Sequence, residues 1–254
     1  MNLLLPGIAA AFLLTFARVG TLVMLLPGVG EQLVSPRLRL AFALLLALVL
    51  FPTVRPLLPM QGGAIAGPGL IALLFGEVLV GLVLGLSVRM VLAALQVAGV
   101  VVSQQLGLSY AMTVDPTQGG QQAAIGNFLA LMGITLIMAT DLHHIAIQAI
   151  GRSYVLLPPD AVPGMGEAAR LALKAVARGF SLGLQIAAPF IVFGILFNVG
   201  LGVLARLMPQ MQVFFVAVPA SVLIGMLVLL GSLGVMMAVF LDDIGRYLAD
   251  LAGR

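Results

Sequence analysis

The chain has 254 residues, 62% of them hydrophobic and 8% charged, and its mean hydropathy of +1.21 leaves too little polar surface to clothe a water-soluble core. Cysteine is absent, which removes disulfides, thiol nucleophiles and iron–sulfur sites, and the net charge of +3 rests on eleven arginines and one lysine too scattered to follow a phosphate backbone. Nucleic acid is excluded as a partner, and bilayer helices of roughly 20 apolar residues each are the element that this composition allows.

Six helices are predicted in chain order, at about 3–26, 38–55, 69–102, 123–152, 166–206 and 210–250. The first begins uncharged at Met1-Asn2 and carries Arg18. It lacks the basic start and small-residue cleavage site of a secretory signal, and is expected to remain in the mature protein. A polar linker leads to Pro36-Arg37-Leu38-Arg39, which opens the second helix, and a Pro/Gly-rich stretch at 56–69 separates the second from the third. In the third, Glu77 shares a face with Gly81, and Gly81 and Gly85 have the four-residue spacing that lets helix backbones approach closely. Gly179 and Gly183 repeat that spacing in the fifth. The reading is all-α: one domain over 1–254 of integral-membrane-type helical hairpins, with about six long apolar helices packed in a hetero-oligomeric assembly.

Two features fit a plain six-span protein badly. The charge-free run Leu207–Leu241 would reach about 52 Å as a single helix against a hydrocarbon slab of about 30 Å, so it either bends at Pro219 or extends beyond the lipid. The charge asymmetry is weak: Arg37, Arg39 and Arg206 fall on one set of connections, and Arg55, Arg152, Arg170, Lys174 and Arg178 on the other. The count favours cytoplasmic termini.

Enzymatic chemistry finds little to work with. No serine stands in a nucleophile-elbow context and no phosphate-binding glycine loop is present. Asp141-Leu142-His143-His144 invites a metal reading, but neighbouring residues on an ideal helix project about 100° apart, and no cysteine or third histidine completes a tetrahedral set. No metal and no cofactor are expected; Asp141 and His144, three apart on one face, are read as polar contacts between helices. Glu77 is either a proton-relay carboxylate or the partner of an arginine on another helix or subunit. At Arg206-Leu207-Met208-Pro209-Gln210-Met211-Gln212-Val213-Phe214 proline removes a helical donor, which predicts a sharp helical hairpin whose polar tip caps helix ends or meets a partner.

Residues 104–122, QQLGLSYAMTVDPTQGGQQ, hold five of the twelve glutamines inside an otherwise hydrocarbon-rich chain. Together with Arg18, Gly20 and Pro27, the Pro36–Arg39 opening, Asp141-Leu-His-His and the Arg206–Phe214 break, in this order and spacing, they make the sequence resemble the FliR family of bacterial flagellar export-gate proteins. The virulence-system relatives of that family are the SctT proteins. Gln212 departs from the pattern, because the family usually has asparagine there. The resemblance implies a noncatalytic core subunit of the flagellar type III export gate. Its implied partners are FliP-type and FliQ-type subunits, an FlhB-type switch subunit, unfolded export substrates and membrane lipid, and its implied location is the inner membrane at the flagellar basal body.

The resemblance also implies that 104–122 is a plug that helps to close the channel. Its members are Gln104, Gln105, Gly107, Tyr110, Met112, Asp115, Pro116, Gln118, Gly119, Gly120, Gln121 and Gln122. Arg18, Arg37, Arg39, Glu77, Asp141, His144, Arg206, Pro209, Gln210, Gln212 and Phe214 are expected at assembly contacts. The chemistry of the loop suits a closure that must open for any unfolded polypeptide, since amides neither trap charge nor bind greasy segments, and exchange hydrogen bonds at about 1 kcal/mol each. An ordinary polar connector is the plainer alternative. The competing function is a small-solute secondary transporter or channel using Glu77 or Asp141, against which stand the missing repeat pair and the scarcity of intramembrane charge.

Overall fold

The computed structural model describes residues 4–31, 34–59, 68–108, 120–159, 165–208, 210 and 213–253. Among them are seven α-helices and no strand: α1 (Leu4–Leu25), α2 (Pro36–Val54), α3 (Pro68–Gln105), α4 (Gly120–Ala139), α5 (Leu142–Leu156), α6 (Met165–Leu207) and α7 (Val213–Leu251), with a 3-10 turn at Arg55–Leu57. Five helices are long and apolar enough to cross a membrane, or six spans if α4 and α5 count as one broken span. The all-α, membrane-type fold read from composition is therefore what the chain adopts.

Local chemistry accounts for the boundaries. Ser35 caps α2 by accepting a hydrogen bond from the Leu38 amide, and Pro36 sits at the first helical position, where its missing N–H costs nothing. The helix predicted over 123–152 is instead two, bent by 78° at Thr140-Asp141. Asp141 takes a left-handed backbone conformation (φ 59°), which ends one helix and starts the next. In contrast, α7 is continuous through Pro219 and α6 through Pro189. With α3, these are helices of 38, 43 and 39 residues, all far longer than the roughly 20 residues a bilayer needs.

The chain divides into two compact units, Met1–Val91 with Ile137–Ala177 and Gly245–Arg254, and Leu92–Leu136 with Arg178–Ile244. In the first, α1 packs on α2, and Ala11, Leu14, Val54, Leu58 and Tyr154 make a buried cluster bordered by Leu50, Phe51 and Leu73. Phe12 meets Phe51 edge to face at 5.7 Å. The Gly81/Gly85 spacing does what its pattern predicts. A methyl on Gly81 would stand 2.8 Å from the Arg18 carbonyl oxygen, and one on Gly85 would stand 2.7 Å from the Leu25 side chain, so α3 lies directly against α1.

In the second unit the closest approach of one backbone to another is Gly99 of α3 against Gly126 of α4, where any side chain at 99 would overlap the opposing backbone. Gly183 of α6 also sits close over Ala94 and Val97 of α3, where an added methyl would stand 2.9 Å from each. Much apolar surface nevertheless faces outward. Only 17% of the α2 membrane-length window is buried, and Leu38, Leu45 and Val49 are exposed. In water such a surface would be a liability; against lipid or a partner helix it is the expected finish.

Candidate gate base and buried ion pair

The end of α3 is built to release the chain into the amide-rich segment at a fixed point. Gly107 is left-handed (φ 78°), its amide bonds to the Gln104 carbonyl at 3.1 Å, and the Leu108 amide bonds back to the Ser103 carbonyl at 3.1 Å. This pair of bonds around a left-handed glycine is a Schellman cap, and it satisfies carbonyls that the helix end would otherwise leave unpaired. Leu106 is fully buried, filling the space that Gly225 of α7 leaves open. The Ser221 hydroxyl lies 3.0 Å from the Leu106 carbonyl oxygen and 2.8 Å from that of Val218, so its one proton is shared between an α7 carbonyl and the cap.

Gln104 is exposed, while Gln105 is half-buried with its side-chain amide over Gly194 of α6. On the far side, Gly120 begins α4, with Gln121 and Gln122 in its first turn. Tyr110, Met112, Asp115, Pro116, Gln118 and Gly119 lie outside the described residues.

In the first unit, Arg18 of α1 and Glu77 of α3 pair through Nε–Oε2 at 2.5 Å and Nη2–Oε1 at 3.1 Å. The side chains are 0% and 1% exposed. Arg18 Nη1 also donates to the carbonyls of Ser153 (3.0 Å) and Leu157 (2.9 Å), and the guanidinium lies over the Tyr154 ring, 4.1 Å from its centroid. Tyr154 in turn donates its hydroxyl to the Thr15 carbonyl at 3.2 Å. A lone arginine at the centre of a membrane helix costs about 2.5–3.5 kcal/mol on insertion scales. Two carboxylate oxygens, two carbonyls and an aromatic face offset that cost here. Of the two readings for Glu77, the structure supplies the arginine-partner geometry, and that arginine is on a neighbouring helix of the same chain.

The remaining expected contact residues are dispersed. Arg37 is exposed, and Arg39 is half-buried with its Nε enclosed and without a hydrogen-bond partner among the described residues. Arg206, in the last turn of α6, and Gln210, in the turn after it, are exposed, consistent with the predicted helix break. Pro209 and Gln212 lie outside the described residues; Phe214 belongs to the start of α7.

Asp141 and His144 face one another at 3.4 Å, but with 78% and 63% of their side chains exposed rather than buried between helices. The divergence expected of the two histidines is also absent, since their ring centroids are 4.1 Å apart. Imidazole arms on rotatable bonds turn toward one another even when their Cβ atoms do not.

Sequence reasoning missed Arg178, whose Nε and Nη2 reach the Asp243 carboxylate at 2.9 and 3.0 Å and so tie α6 to α7. It also missed the Ser153–Tyr154 floor beneath Arg18. These partners stand 65 and 135 positions from the arginines they meet, and no local periodicity encodes such distances.

Long apolar helices, backbone-close glycine crossings and a desolvated ion pair sealed between helices define a multi-span membrane protein. The profile described as "Bacterial export proteins, family 1" matches residues 9–247, and the chain belongs to that family. It is 43% identical over 229 residues, 90% of each chain, to a "Flagellar biosynthetic protein FliR" of Caulobacter vibrioides. It is 32% identical over 234 residues to the protein so named in Bacillus subtilis, covering 90% of this chain and 88% of the relative. With the Escherichia coli K12 protein of that name the identity is 26% over 238 residues, covering 92% and 89%.

Proposed function

We propose that the chain is a noncatalytic core subunit of the flagellar type III protein export gate, and that residues 104–122 help to close its channel against leakage until an unfolded export substrate passes. The observation that carries the gating part is the Schellman-capped end of α3, with Gly107 left-handed and Leu106 pinned under Ser221. Such a cap fixes where the chain leaves α3, which suits a closure that reopens and returns to one place. The names of the relatives support the export role. The location that follows is the inner membrane at the flagellar basal body. FliP-type, FliQ-type and FlhB-type subunits would cover the apolar outer faces of α2, α6 and α7 that lipid does not. Arg37, Arg39, Arg206 and Gln210, which reach or border the surface, are candidate contacts to them.

The transporter reading is disfavoured by the two-point pairing of Glu77 with Arg18, which leaves no free carboxylate there for coupling to a solute. Shortening the chain between Tyr110 and Gly120 tests the gate. The complex should still assemble and should leak ions and small solutes. Failure to assemble would make the segment a packing element, and a tight, export-competent complex would reduce it to a connector.

A further inference from the structure

We infer that Asp141, His143 and His144, at the corner between α4 and α5, form a binding site for a divalent transition cation of the zinc class. One nitrogen of each imidazole and a carboxylate oxygen of Asp141 all lie within 4.8 Å of one another. Ligands sharing a tetrahedral ion at metal–donor lengths of about 2.0–2.2 Å stand roughly 3.3–3.6 Å apart, so rotation of these side chains would have to draw the donors closer to close the set. The imidazole rings already lie 4.1 Å apart at their centroids, and His144 Nδ1 is 3.4 Å from Asp141 Oδ1.

Two further features of these residues fit a ligand set better than a solvated turn. His143 Nδ1 is enclosed and makes no hydrogen bond among the described residues, so this imidazole carries a desolvation cost that nothing described recovers. Asp141 occupies the N-cap position of α5 yet makes no side-chain capping bond, and its carboxylate turns toward His144 instead. An aspartate there ordinarily caps the helix. Two neutral imidazoles with one carboxylate suit borderline cations such as Zn2+, Ni2+ or Co2+, and the exposure of Asp141 and His144 leaves the remaining coordination positions to water or to a neighbouring subunit. Bound there, the cation would lock the 78° corner, since its ligands come from the junction residue and the first turn of α5.

The test is calorimetric titration of zinc chloride into the untagged full-length chain, purified in detergent with the export subunits that accompany it. Wild type should bind one equivalent per chain more than His143→Ala or His144→Gln, and Asp141→Asn should weaken that equivalent by at least about tenfold. Because Asp141 and His144 are exposed, their variants should keep the helical circular dichroism of the parent. Cobalt added to the wild-type protein should give visible absorption bands of low-symmetry nitrogen–oxygen coordination, independent of any variant. Identical zinc binding by wild type and His144→Gln, or cobalt that gives only the spectrum of the aqueous ion, would overturn the inference.

Discussion

Arg18 and Glu77 stand 59 positions apart in sequence and meet at two points, with their side chains 0% and 1% exposed. Breaking such a pair from one side leaves an uncompensated charge in the interior and typically costs about 3–5 kcal/mol, whereas replacing both partners by apolar residues is often neutral. Glu77→Leu and Arg18→Met should each sharply lower the melting temperature of the purified complex. The double variant Arg18→Met with Glu77→Leu should recover most of the loss. Coupling of less than about 1 kcal/mol in this cycle would mean that the pair is structurally passive.

The crossing of α3 and α4 gives a second prediction. A methyl group at Gly99 meets the Gly126 backbone, which no side-chain rotation relieves. Gly99→Ala should therefore destabilise by about 1–3 kcal/mol, the usual range for overpacking, while Gly231→Ala, which meets open space inside α7, should stabilise by about 0.5–1 kcal/mol through the helix propensity of alanine. Thermal denaturation of the two variants side by side checks the contrast.

At the end of α3, Gly107→Ala puts a side chain on a residue held at φ 78°, costing about 1–2 kcal/mol, and Gly107→Asn should cost less because asparagine tolerates that conformation. Ser221→Ala removes one hydrogen bond, worth about 1 kcal/mol. If the capped end of α3 positions a closure, both Gly107→Ala and Ser221→Ala should raise ion leakage through an assembled complex. Unchanged conductance with lowered stability would confine Gly107 and Ser221 to capping.

Arg206 is exposed at the end of α6, so Arg206→Ala should alter the stability of the chain itself by no more than about 0.5 kcal/mol. Recovery of the intact complex with its accompanying export subunits should nevertheless fall. Normal recovery and normal export would make the α6–α7 break a turn and nothing more.

How much was legible follows the range over which each signal acts. Proline, glycine and hydropathy act within a few residues, and they place Pro36, Gly81, Gly85 and the break after Leu207 where the structure has them. The corner at Asp141 escaped because leucine, isoleucine and alanine on both sides continue a helical pattern through it; what ends α4 is one backbone conformation, which aspartate permits without announcing.

Composition by itself determined that the chain is helical and belongs in a membrane, because hydrocarbon surroundings require every backbone polar group to be satisfied within its own segment. The order of its motifs determined the family. Only the tertiary structure decided which charges meet. Arg18 chose Glu77 over solvent or another subunit, Arg178 chose Asp243, and the two histidines turned toward one another. Such pairings depend on which helix faces come together, and in a chain apolar on nearly every face the sequence carries almost no polar stripe from which to read them.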